Sequence, residues 1–239
     1  MAATPAALED ACQLIQASTI LLEFPQQVCV TACTLFHRFF SRRRADECSI
    51  THAAAAALFL AAKVCEVPDT SAHPAVLLHK VILAFDRSLA RKLERERSGG
   101  TVATTATLPP PILARHSPEY IALRDAVVRY EKEILVALGF ACDVESPHKL
   151  ALAILQTGRF DERLAPRVYA LANDGLRSQS LCLSFSALDV ACGLVFVAAR
   201  QLGIPLPGNA GEETPWYAVF GCSSAAIADV ALALSKIGV

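Results

Sequence analysis

No apolar run among the 239 residues approaches the roughly 18–20 needed to cross a bilayer. The opening Met1-Ala2-Ala3-Thr4-Pro5 lacks the basic start and apolar core of a signal peptide. A soluble, intracellular protein with no membrane partner is expected. A charge excess of either sign is missing too: 22 basic residues stand against 23 acidic ones, for a net charge of −1. Such a balance supplies no field to gather nucleic acid or an anionic surface, so no direct nucleic-acid contact is expected. The nine cysteines form no CxxC pair, which removes the zinc-knuckle and thioredoxin-type readings. An odd number of thiols among apolar neighbours, such as Cys12, Cys142, Cys182 and Cys192, reads as reduced, packed side chains. Also missing are GxSxG, a phosphate-binding Walker loop, HExxH and a dinucleotide fingerprint. The adjacent carboxylates Glu212 and Glu213 lie in a polar stretch. A non-catalytic chain with no cofactor and no small-molecule substrate is therefore expected.

What is present is hydrophobic content, 54% against 19% charged, with a mean hydropathy of +0.40. A chain of this composition builds a large core and keeps apolar surface for a partner. Nowhere does a sustained period-two alternation argue for a strand, so the fold class is all-α. Three-and-four spacing predicts helices over 6–24 and over 26–40, the second closed by the cations Arg42, Arg43 and Arg44 at its negative end. Ser49 is a suitable N-cap for a third helix and Pro68 its stop. A fourth helix starts near 71–74, and its charged tail from Arg87 to Arg97 is expected on the surface. Residues 98–116, with Gly99-Gly100 and Pro109-Pro110-Pro111, have the composition of a flexible loop within the first bundle. Ser117-Pro118, Ser146-Pro147 and Thr214-Pro215 each read as an N-cap followed by a first-turn proline. Further helices are predicted over 163–177, 186–201 and 223–236.

The third helix holds ten consecutive uncharged residues, 53–62, dominated by alanine. A helix apolar on every face must be buried on every face, and small side chains let its neighbours come close. Residues 54–68 can be laid without a gap on 191–205, putting Ala61-Ala62-Lys63 on Ala198-Ala199-Arg200, Phe59 on Phe196 and Pro68 on Pro205. Two similar bundles in tandem, each built round such a helix, follow from that repeat. The expected division is 1–143 and 144–239.

Two charged residues stand out. Lys63 ends the alanine helix, where its position alone favours a cation on the helix dipole with its amine in water. Glu131 falls four residues after Val127 and four before Leu135, inside an apolar stripe. A carboxylate there is costly unless paired or reserved for a partner. Cys29, Cys33 and His37 share a helix face but spread over too great a length for one ion, so no metal site is assigned. Arg42-Arg43-Arg44 could hold a phosphate or an acidic segment, though a solvated face explains them as well. Trp216, the only tryptophan, reads as a plug in the core or between the bundles.

Several motifs together resemble the cyclin family, and most specifically its cyclin L branch of the transcription and splicing group. Residues 54–66 are similar to the family's alanine-rich signature helix, and Phe36-His37-Arg38-Phe39-Phe40 to a motif of the cyclin K, T and L branch. Pro147-His148-Lys149-Leu150, Asn173-Asp174-Gly175-Leu176-Arg177, Ile204-Pro205-Leu206-Pro207 and Trp216-Tyr217 with Phe220-Gly221 resemble the second cyclin L box. The resemblance implies tandem cyclin boxes, each a five-helix bundle, in a nuclear regulatory subunit that forms a heterodimer with a cyclin-dependent kinase. It implies that Lys63, Glu131 and Glu66 face the kinase, while Arg38, Phe59 and Trp216 hold the fold. Cys65 stands where the family carries a first glutamate after the signature lysine. The branch often carries an arginine–serine tail, and the 239 residues contain none. Two other readings share the fold: a nucleic-acid-binding transcription factor with tandem boxes, which would call for a basic excess, and a scaffold that activates nothing.

Overall fold

The computed structural model describes residues 4–43, 48–67, 73–97, 113–114, 117–158, 160–207 and 215–237. These residues form helices and connecting turns, with no strand among them. The chain divides into two compact units, Met1–Asp143 and Val144–Val239. The loop expected at 98–116 lies, apart from 113 and 114, outside the described residues.

The first unit holds α1 (Pro5–Leu21), α2 (Gln26–Arg42), α3 (Ile50–Val64), α4 (Pro74–Arg97) and α5 (Pro118–Leu138). Local chemistry sets their starts. The Thr4, Ser49 and Ser117 side-chain oxygens accept from the backbone N–H of Ala7, His52 and Tyr120, filling donors that a helix leaves orphaned. Proline occupies the first position of α1 and α5, where a missing N–H costs nothing. Every residue from 53 to 62 in α3 is buried. The helix packs on α2, α5, α1 and α4. Its small side chains leave bulk to the neighbours: Phe36 and Phe39 on α2, Ile15 on α1, Ile82 on α4 and Ile134 on α5 are all sealed from solvent. Each contributes about 1.5–3 kcal/mol by leaving water.

The charged tail of α4 begins later than its sequence suggests. Ser88 is buried, its hydroxyl accepting from the Ser18 hydroxyl of α1 at 3.0 Å and donating to the Ala84 carbonyl. Exposure sets in only from Leu93.

The second unit holds α6 (Pro147–Thr157), α7 (Leu164–Gly175), α8 (Gln179–Ser184), α9 (Ala187–Leu202) and α10 (Ser224–Ser235). Helix α9 takes the central place and packs on α6, α7 and α10. Two expectations need correction here. Pro215 opens a five-residue 3₁₀ segment, Trp216–Phe220, and not an α-helix, because Gly221 turns left-handed and ends it. The six-residue α8 was missed, being too short to show a period; its signals are the Ser178 cap and buried Leu181. Trp216 lies in the core of this second unit, edge-on to Phe160 at 5.5 Å and flanked by Tyr217 and Phe220.

Candidate functional site

The site is built on the end of α3 and the middle of α5. Tyr130 helps to hold these helices together: its hydroxyl accepts from the Ser49 N–H at 2.7 Å, and its ring lies against His52. Burial and the nearby Arg129 guanidinium hold the His52 imidazole below its ordinary value. One residue further along α5, Glu131 is directed at Lys63, and the Lys63 ammonium donates to Glu131 Oε1. The Lys63 side chain is 41% exposed and that of Glu131 only 10%. The nearly buried carboxylate is thus paired, as its place in the stripe requires. Lys63 also lies over the Phe59 ring one turn earlier, 4.8 Å from its centre, a cation–π contact that keeps the ammonium at the surface end of α3.

Both Lys63 and Glu131 keep capacity for a further ligand. An ammonium has three donors and a carboxylate two oxygens, while their mutual bond uses one of each. Solvent-exposed apolar side chains occur on the same two helices, Val64 beside Lys63 and Ile121 and Val128 along α5. The dipole-cap reading of Lys63 is therefore incomplete: its partner is a side chain of another helix, which no local rule reveals.

Beyond Lys63 the chain closes α3 with a left-handed residue. The Glu66 N–H donates to the Lys63 carbonyl, and the Val67 N–H to the Ala62 carbonyl, with Glu66 at a φ of 47°. Gly203, which the repeat aligns with Glu66, closes α9 in the same way at a φ of 65°. Glycine adopts this conformation freely, whereas a side chain costs about 1–2 kcal/mol. Glu66→Gly is therefore expected to stabilise the N-terminal unit by about 1 kcal/mol in urea unfolding. An unchanged or lower midpoint would show that the Glu66 side chain compensates for its backbone strain. The Cys65 thiol donates to the Thr31 hydroxyl of α2 at 3.6 Å and so faces the bundle.

Other residues singled out by the sequence sit apart from this pair. Arg38 donates to the Asp143 carbonyl at 3.0 Å, and Arg42 to the Ala137 carbonyl at 2.7 Å, so α2 holds the end of α5 and the segment after it. Arg42 makes its bond from an exposed position; Arg43 is exposed too, and Arg44 lies outside the described residues. Cys29, Cys33 and His37 are buried in α2. The Cys29 thiol is pushed far up by its hydrogen bond to Cys33 and by burial, so it packs as a neutral group. His37 Nε2 meets the Cys12 sulfur at 3.3 Å.

Residues 5–143 match the family described as Cyclin, N-terminal domain. Cyclin-L1-1 of Oryza sativa subsp. japonica is 37% identical over 95% of this chain and 47% of its own length. Cyclin-L1-1 of Arabidopsis thaliana is 32% identical over 95% of this chain and 48% of its own. Cyclin-L2 of Homo sapiens is 29% identical over 95% of this chain and 39% of its own. The chain thus spans about half the length, or less, of these curated relatives. A chain in the crystal structure of the yeast RNA Pol II CTD kinase CTDK-1 complex shares the fold, with a TM-score of 0.69 at 13% identity. That likeness covers 97% of this chain and 65% of that one. The two five-helix units are tandem cyclin boxes, and the chain belongs to the cyclin family, with cyclin L proteins among its relatives.

Proposed function

We propose that this chain is a nuclear regulatory subunit that binds and activates a cyclin-dependent kinase acting in transcription and pre-mRNA processing. The observation that carries the reading is the Lys63–Glu131 pair, two residues from separate helices that meet at a half-exposed position in a cyclin box. Its cyclin L relatives, and a shared fold with a chain of an RNA polymerase II CTD kinase complex, support the transcriptional branch.

In this reading the spare Lys63 donors take backbone carbonyls of the kinase, and the second Glu131 oxygen takes a backbone N–H. Glu66 adds a carboxylate at the rim. Val64, Ile121 and Val128 supply apolar area around these polar contacts, the arrangement in which a few polar anchors carry specificity. A kinase is active when its strand lysine pairs with the glutamate of its regulatory helix and its activation loop is ordered. A subunit that binds that arrangement more tightly shifts the population toward it, by tenfold for every 1.4 kcal/mol of preference. The phosphoryl transfer itself belongs to the kinase; this chain contributes no catalytic residue.

The test is capture of kinases from nuclear extract, identified by mass spectrometry, followed by a kinase assay with and without the chain. Lys63→Ala with Glu131→Ala is expected to lower capture at least about tenfold, the scale of losing one desolvated polar anchor, while the helical signal stays. Undiminished capture by the folded double variant would remove Lys63 and Glu131 from the interface. Capture without stimulation would make the chain a scaffold.

A further inference from the structure

The repeat places a second, incomplete version of the same site in the C-terminal box. Arg200 occupies the place of Lys63, and Phe196 that of Phe59; the guanidinium lies 5.7 Å from the Phe196 ring, as the ammonium lies over Phe59. Helix α10 stands to α9 as α5 stands to α3. Laying the buried Val127, Tyr130 and Ile134 on the buried Ile227, Val230 and Leu234 puts Glu131 on Ala231. The second box therefore has the cation and the ring but a methyl group where the first has a carboxylate. Among the described residues Arg200 forms no ion pair. In place of that carboxylate there is a cleft of about 310 Å³ lined by Phe196, Val197, Arg200, Gln201, Ala231 and Ser235. Arg167 of α7 donates to the Gln201 amide oxygen at 2.7 Å, which holds that amide at the rim and brings a second guanidinium beside the cleft.

We propose that this α9–α10 cleft is a docking site for an acidic peptide segment of a partner protein, one carboxylate of which takes the place Glu131 has in the first box. The Arg200 guanidinium matches a carboxylate as a two-pronged donor, and stacking on Phe196 pre-organises it. Phe196, Val197 and Ala231 form an apolar floor that takes an adjoining aliphatic side chain. Arg200 and Arg167 are too few to track a nucleic-acid backbone, whereas they suit one or two peptide carboxylates. Every residue lining this cleft belongs to the second unit, and none is a member of the Lys63–Glu131 pair.

The probe is a fluorescent twelve-residue peptide of alternating Glu and Leu, titrated with the 239-residue chain and followed by anisotropy. The Glu-Leu peptide is expected to bind, and its Gln-Leu counterpart at least about fivefold more weakly. Arg200→Ala is expected to weaken the Glu-Leu complex by the same factor. Ala231→Glu, which returns a carboxylate to the cleft, should do so with the helical signal intact, and Lys63→Ala should leave binding unchanged. Equal binding of both peptides, or full binding by Arg200→Ala, would overturn the proposal, as would no binding at all. Two further outcomes would also overturn it. One is tighter binding after Glu212→Gln with Glu213→Gln, since the chain's own acids would then be the occupant. The other is an Arg200-dependent preference for a twelve-nucleotide RNA.

Discussion

Ala56→Leu is expected to destabilise the N-terminal box by about 3 kcal/mol, the upper end of what overpacking costs. Ala56 is fully buried in a helix whose neighbours on all sides are buried too. Leucine adds three carbons where α3 already touches four helices. In an ordinary amphipathic helix such a side chain could turn toward the surface. In α3 no rotamer leads out, so either the added carbons strain the rotamers around them or a neighbouring helix moves away. Helix propensity offers no relief, since leucine is a slightly poorer helix former than alanine. Urea unfolding followed by the helical signal measures the effect. A loss below about 1 kcal/mol, the range of well-tolerated core exchanges, would mean that the bundle is looser round α3 than its burial indicates.

Gly193→Ala is the matching experiment in the second box, since the repeat lays Gly193 on Ala56. Here a single methyl group decides. A Cβ at Gly193 would lie 2.3 Å from Cγ1 and 2.7 Å from Cβ of Val230, so α9 and α10 touch where the glycine is. Alanine in a helix interior is favoured over glycine by about 1 kcal/mol. Val230 Cβ is fixed to the α10 backbone and cannot swing aside, so the helices must separate. The net expectation is a loss of about 2 kcal/mol, on the scale of overpacking. Val230→Ala alone should also destabilise, by leaving a void beside Gly193. Combining the two should recover part of the loss, because the new methyl then fills space vacated by the old ones. If Gly193→Ala proves stabilising, propensity outweighs packing there and the close approach of α9 to α10 is not a constraint.

The two substitutions show how far the linear chain can be read. That α3 is enclosed follows from ten uncharged residues with no polar face. That a second bundle exists follows from the gapless repeat. Why the second helix carries glycine where the first carries alanine is invisible until Val230 is seen opposite it. Glu131 follows the same logic. Its place in an apolar stripe marked it as a residue needing a partner, but the stripe belongs to α5 alone and could not name that partner. The left-handed Glu66 gave no local signal, since glutamate is not the residue that such a turn selects; only its alignment with Gly203 pointed there. Short segments were the least legible. Helix α8 has too few residues to show a period, and while proline opens α1, α5 and α6, Pro215 opens a 3₁₀ turn that Gly221, six residues on, ends.

Secondary structure, the tandem repeat and the family were thus written in the order of the residues, because burial periodicity, caps and proline stops act over a few neighbours. Which charges meet was decided by packing. Lys63 and Glu131 are joined only when α3 and α5 pack side by side. Arg200 lacks a carboxylate only because α10 brings Ala231 to the equivalent place. Pairing across helices depends on how two faces are rotated and how closely they approach. Those quantities are set by the whole core and by no segment of it.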